Sequence, residues 1–193
     1  MTPIDRNRSA VLVMDFQTPI LGMLGDGATP VVERAAAVVK AARTAGLPVI
    51  YVVVGFRPGY PEVSRQKMDS PFGRVAQSGQ FVTTTPGSDV HPALKPAAED
   101  VVIFKHRVSA FTGTDLDMVL RAKSVDTLIV MGISTSGVVL STVRHAADAD
   151  YRLLVVADGC ADGDAEVHRV LTEKVFLRQA TVLPSAEVIE ALR

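Results

Sequence analysis

The sequence predicts a three-layer α/β/α sandwich with a mainly parallel, Rossmann-like sheet, in one domain spanning residues 1–193. Short apolar runs alternate along the chain with helical patterns, an order that requires parallel strands joined by right-handed crossovers. The runs are apolar at consecutive positions, as expected of strands buried on both faces of a sheet. No internal repeat, low-complexity tract or linker divides the 193 residues, a length that suffices for one substantial core.

The first strand is expected near 10–15, where Ala10-Val11-Leu12-Val13-Met14 ends on Asp15, and a helix follows near 30–45. The second strand, near 49–54, opens into an irregular segment from Gly55 to about Pro86, punctuated by Pro58, Gly59, Pro61, Pro71, Gly73 and Gly79. Connections this long usually serve as a lid or a subunit contact. Phe56, Tyr60, Phe72 and Phe81 are accordingly expected to cover a pocket or to pack on a second subunit, most simply in a homodimer. A strand near 101–104 ends on Lys105, and a helix follows near 114–122. Thr127-Leu128-Ile129-Val130-Met131 then runs into the turn from Gly132 to Val138 and a helix over 136–149, with Val139, Thr142, Val143 and Ala146 on one face. Strands near 152–157 and 180–183 and helices near 164–177 and 185–192 complete the pattern.

Composition narrows the function. Lys and Arg total 20 against 21 Asp and Glu, a balance that favours neither nucleic acid nor an anionic membrane as partner. No window approaches the ~18 apolar residues of a membrane span, and the start, Met1-Thr2-Pro3-Ile4-Asp5-Arg6, lacks a signal-peptide apolar region. A cytoplasmic protein is expected. The single cysteine excludes an intrachain disulfide.

Open parallel sheets bind ligands at the carboxyl ends of their strands, which brings Asp15, Lys105 and the Gly132–Val138 turn to one edge. Small residues in the turn let backbone approach a ligand, and the first N–H groups of the helix behind it can hold an oxyanion or carboxylate. Arg57, just past a strand end, could grip a carboxylate bidentately, or could be an ordinary loop arginine. Asp15 could equally cap a turn, and Lys105 could be a solvated strand-end lysine. Asp158, Asp162 and Asp164 lack the spacing of a calcium loop and suit capping and turn formation. His91, His106, His145 and His168 show no ligand spacing, and Gly25, Gly27 and Gly59 form no phosphate-binding fingerprint. Neither a metal nor a cofactor is expected.

Asp15-Phe16-Gln17, Lys105-His106-Arg107 with Ser109-Ala110-Phe111, and the Gly132–Val139 turn resemble the signature blocks of the isochorismatase-like (cysteine hydrolase) family, from about residue 9 to about residue 184. The resemblance implies that family's fold, and it makes Asp15 and Lys105 two members of an Asp, Lys, Cys triad. Val138 aligns with the cysteine, and valine cannot be a nucleophile. Members that hydrolyse isochorismate also lack the thiol; they carry glycine there and use the aspartate as an acid on a vinyl ether. The resemblance further implies a non-proline cis peptide at Ile133–Ser134 and points to a homo-oligomer, and Gln17, Phe56, Arg57, Ser134 and Gly137 are the expected substrate contacts. Nicotinamidase relatives carry an Asp and His metal motif after the second strand, where this chain reads Gly55-Phe56-Arg57-Pro58. Asp158-Gly159-Cys160-Ala161 resembles a block whose cysteine accompanies the nucleophile. Three readings follow: an Asp/Lys hydrolase without a thiol, a catalytically silent binder of a small molecule or partner, and an amidase-type hydrolase using Cys160. As an acid Asp15 must hold a proton, which burial favours; as a base it must be ionised, which Lys105 favours.

Overall fold

The computed structural model describes residues 3–83 and 90–193; Met1, Thr2 and Pro86, on which parts of the sequence reading fall, lie outside them. Six parallel strands form one sheet in the order β3-β2-β1-β4-β5-β6: β1 Ser9–Met14, β2 Val49–Val54, β3 Val101–Lys105, β4 Thr127–Ile133, β5 Arg152–Ala161 and β6 Thr181–Leu183. The chain reverses its direction of winding between β1 and β4, the place where such sheets open a crevice. Every residue of β1, β2 and β4 is buried, which is why those runs are apolar without alternation.

Helices cover both faces. On one side Val11, Val13, Tyr51 and Met131 pack with α2 (Ala28–Thr44) and α7 (Ser185–Ala191). The buried positions of α2, Val31, Val32, Ala35, Val38, Val39 and Ala42, recur at helical spacing, and Gly46 at φ 76° turns the chain out of it. On the other side Leu12, Ile50 and Val130 pack with α4 (Leu116–Ala122) and α5 (Leu140–Asp148). A short helix α1 (Thr18–Leu21) with a 3-10 turn over Gly22–Gly27 leads into α2, and α6 (Ala165–Val170) follows β5. None of the described helices is long and apolar enough to cross a membrane.

The connection after β2 departs from the sequence reading. It contains a helix, α3 (Pro71–Ser78), opened by Ser70, whose Oγ accepts from the Gly73 N–H at 3.1 Å, and closed by Gly79 at φ 70°. Its aromatics do not form an exposed patch. Phe56 is fully buried, with the rings of Tyr60 and Phe72 at 5.5 and 6.1 Å, and Tyr60, Phe72 and Phe81 pack partly buried against the first core. The segment lies back on its own domain because Phe56 exchanges backbone hydrogen bonds with Phe81 and Thr83. Among the exposed large apolar side chains are Val102 and Phe104, on the outward face of the edge strand β3. The other departures are smaller: β5 runs to Ala161 past a register shift between Val130 and Gly132, and the helix after β4 begins with a π-helical turn over Thr135–Val139.

Candidate active site

Asp15 is the first residue past β1, and it sits in the left-handed region at φ 59°. Aspartate tolerates that conformation better than most residues, and its N–H is kept in the sheet by donating to the Val52 carbonyl at 2.8 Å. Lys105 ends β3, opposite Val54. Strand alternation places Ile103 and Lys105 on the buried side while Val102 and Phe104 face out. The lysine therefore reaches inward across the end of β2, and its Nζ lies 2.9 Å from Asp15 Oδ2 with both side chains at least nine-tenths buried. Nζ also donates to the Arg107 carbonyl at 3.1 Å.

The two carboxylate oxygens differ. Oδ2 holds the lysine, whereas Oδ1 is buried and has no hydrogen-bond partner among the described residues. Burial disfavours the charged form more strongly than the lysine favours it, and the Asp15 carboxyl is pushed up to about 6. A carboxyl in that range exchanges its proton readily near neutral pH, and the unpartnered oxygen is the place to carry it.

Nearby side chains frame this pair. Gln17, fully buried, donates from Nε2 to the Val54 carbonyl at 3.0 Å and accepts the Val54 N–H at 2.8 Å, fixing the strand end beside Lys105. This engages the amide that the sequence assigns to substrate with the frame of the site. Phe56 lies with its ring centroid 5.6 Å from that of His106, whose Nδ1 meets the Gly55 carbonyl. Arg57 is mostly exposed and is paired with Glu62 at 2.6 Å. Arg107 donates to the Glu62 carbonyl at 3.0 Å, so the loop behind Lys105 and the segment after β2 are tied together.

The turn after β4 completes the edge. The peptide between Ile133 and Ser134 is cis, as the family resemblance implies. Gly132 packs closely where it stands: a Cβ there would lie 3.1 Å from the Met14 carbonyl oxygen and from Val139 Cγ2, so a side chain would press on the end of β1. A Cβ on Gly137 would crowd Ser134 Oγ at 2.8 Å. Val138 is 2% exposed and packs in the second core. The anion site expected at this turn is partly filled from within, because the Ser136 N–H donates to Asp162 Oδ2 at 2.7 Å. Thr135, fully buried, pairs its hydroxyl with His168 Nδ1 at 2.8 Å. Sequence reasoning gave Asp162 and His168 no part here, since nothing local in the sequence reports a contact across 26 or 33 residues.

Cys160 stands opposite Gly132 in the β4–β5 register, 4% exposed, and burial pushes its thiol up to about 12. Such a thiol stays protonated near neutral pH, unlike a nucleophilic thiolate. Asp158 binds the N–H and hydroxyl of Ser185 at 2.6 and 2.7 Å, and Asp164 caps α6, so both serve structure. Among the described residues no group of three or more His, Cys, Asp or Glu side chains is placed to hold a metal ion.

A family model described as the isochorismatase domain matches residues 9–187. The chain is 33% identical to YecD of Escherichia coli O157:H7, called an uncharacterized isochorismatase family protein, over the whole of both chains. It is also 33% identical to the ureidoacrylate amidohydrolase RutB of Methylobacterium radiotolerans, over 74% of this chain and 60% of that protein. Among solved structures, a cysteine hydrolase from Pseudomonas syringae pv. phaseolicola superposes with a TM-score of 0.90 at 29% identity, covering 100% of this chain and 95% of the other.

Proposed function

This chain belongs to the isochorismatase family of hydrolases, and we propose that it hydrolyses a small molecule by proton transfer at Asp15, without a thiol nucleophile. The observation that carries this reading is the asymmetry of the Asp15 carboxylate, one oxygen held by Lys105 and the other buried and bare. With the carboxyl pushed up to about 6, a protonated fraction is available near neutral pH. Val138 leaves the aligned position with no group able to attack a carbonyl.

An enol ether, or a similarly activated molecule, suits this arrangement. Asp15 gives its proton to the terminal carbon of the double bond, and the ether oxygen stabilises the resulting cation. Water adds to the cationic carbon and loses its proton to the Asp15 carboxylate. The hemiketal then collapses to a carbonyl compound and an alcohol. Lys105 keeps the carboxylate in place between the two proton transfers. The backbone around Ser134 and Gly137 faces the substrate in this reading, fully buried Phe56 backs the site from the core, and Arg57 reaches a substrate carboxylate only by leaving Glu62. We also infer a cytoplasmic homo-oligomer, most simply a dimer, a reading supported by Val102 and Phe104 exposed on the edge strand β3; its mass in solution by light scattering would be at least twice the 20.5 kDa of the chain.

A hydrolysis screen over enol ethers, amides and carbamates, with Asp15→Asn as the control, tests the reading. An acid role predicts that kcat/KM falls as pH rises through about 6, the value for Asp15. A rise through the same range would make Asp15 a base acting on water. Ligand binding without turnover by the parent protein would mark a silent binder, and inactivation by alkylation of Cys160 would support the thiol route.

A further inference from the structure

The strand β5 does not stop where its apolar run stops. It continues to Cys160 and Ala161, which pair with Gly132 and Ile133, so the next residues are delivered beside the turn after β4. Asp162 accepts the Ser136 N–H there at 2.7 Å. Asp164 then starts α6 by accepting the N–H groups of Glu166 and Val167. One turn into that helix, His168 meets the hydroxyl of Thr135 at 2.8 Å. A single short segment thus grips two consecutive residues of the turn, one by its backbone and one by its side chain.

Both contacts answer a physical need. Thr135 is fully buried, and a buried hydroxyl without a partner is costly, so His168 supplies the partner that makes this position tolerable. Ser136 lies in the first turn of the helical stretch after β4, where an N–H lacks an intrahelical acceptor and a carboxylate is electrostatically favoured. The turn they hold lies against the end of β1, one residue before Asp15, as the Met14–Gly132 pairing shows.

We propose that Asp162 and His168 are positioning residues, which clamp the Thr135–Ser136 turn onto the end of β5 and so fix its place beside Asp15. The inference bears on the proposed reaction through the location of the turn. Its test reads thiol protection and not turnover, so a failed substrate screen and a failed clamp give different results.

Cys160, the single cysteine, sits behind the turn opposite Gly132 and reports its opening. The rate of N-ethylmaleimide labelling is measured on native protein for His168→Ala, Thr135→Val and Thr135→Ser. Arg169→Ala serves as the control, since that side chain lies on the same helix and its ion pairs among the described residues are with Glu166 and Glu173. The clamp predicts labelling about tenfold faster for His168→Ala and Thr135→Val, with Thr135→Ser and Arg169→Ala within about twofold of the parent. Equal rates for His168→Ala and Arg169→Ala, or for Thr135→Val and Thr135→Ser, would overturn it. Should His168→Ala fail to fold, Asp162→Ala against Asp162→Asn makes the same comparison, because asparagine keeps an acceptor: fast labelling of the first alone supports the clamp, and equal rates overturn it.

Discussion

On the β1–β3 side of the sheet edge, Asp15 and Lys105 are buried together and one carboxylate oxygen has no partner among the described residues, while on the β4–β5 side the Thr135 hydroxyl and the Ser136 N–H are taken up by His168 and Asp162. The first side holds two charges away from water, each of which costs several kcal/mol to bury before pairing offsets it. The second holds a hydroxyl on a histidine, an N–H on a carboxylate, a thiol pushed up to about 12 and a valine in the core. A buried polar atom without a partner is tolerated where a reaction needs it. The proposed function accordingly places the reaction on the Asp15 side and makes the turn after β4 a wall of the site.

The sharpest way to break that contrast is Asp15→Asn. It should lower turnover by ~10²–10⁴-fold while calorimetry still detects ligand binding, since the side chain keeps its shape and an acceptor for Lys105 but loses its proton chemistry and its charge. Undiminished turnover would move the reaction away from this side altogether.

Lys105→Met should have the next largest effect. Without the lysine the Asp15 carboxyl climbs beyond about 6, and removing one partner of a buried pair costs ~3–5 kcal/mol. The sign with pH follows from the raised value: the folded protein holds the proton more tightly than the unfolded chain does, so stability is retained at low pH and lost as pH rises through the folded value. Thermal melts of the variant should accordingly fall further below the parent at pH 8 than at pH 5.

On the opposite side, Val138→Ala should act on stability alone. Truncating a side chain that is 2% exposed costs ~1–3 kcal/mol by denaturant melts, with turnover per folded molecule within about threefold of the parent. The smallest effect belongs to Cys160→Ala, a small buried residue replaced by another, for which turnover should stay within about twofold. A large loss there would restore the thiol to the mechanism.

The Asp15–Lys105 half is the more legible of the two in the sequence. Asp15 and Lys105 each end an apolar run, and parallel topology brings such ends to one edge, so local patterns sufficed to place them together. What the pattern could not supply was the balance between burial and Lys105 at Asp15, because it depends on three-dimensional packing. The helix Pro71–Ser78 was hidden among Gly and Pro, although Ser70, Pro71 and Gly79 form a start and stop signal that local reading could have used. The aromatics after β2 are indistinguishable in sequence from an exposed patch, and only the backbone pairing of Phe56 with Phe81 and Thr83 turns them inward. In sequence Asp162 looks like a turn residue and His168 like a scattered histidine, since the register shift that carries β5 to Ala161 leaves no mark in the apolar run.

The most direct test is the titration of the Asp15 carboxyl carbon by carbon-13 NMR, assigned by its loss in Asp15→Asn. A midpoint near 6 is the result that burial of this carboxyl beside Lys105 predicts. A midpoint at or below the ordinary value of 3.8 would show that Lys105 dominates, that Asp15 holds no proton at neutral pH, and that it cannot be the acid of this site.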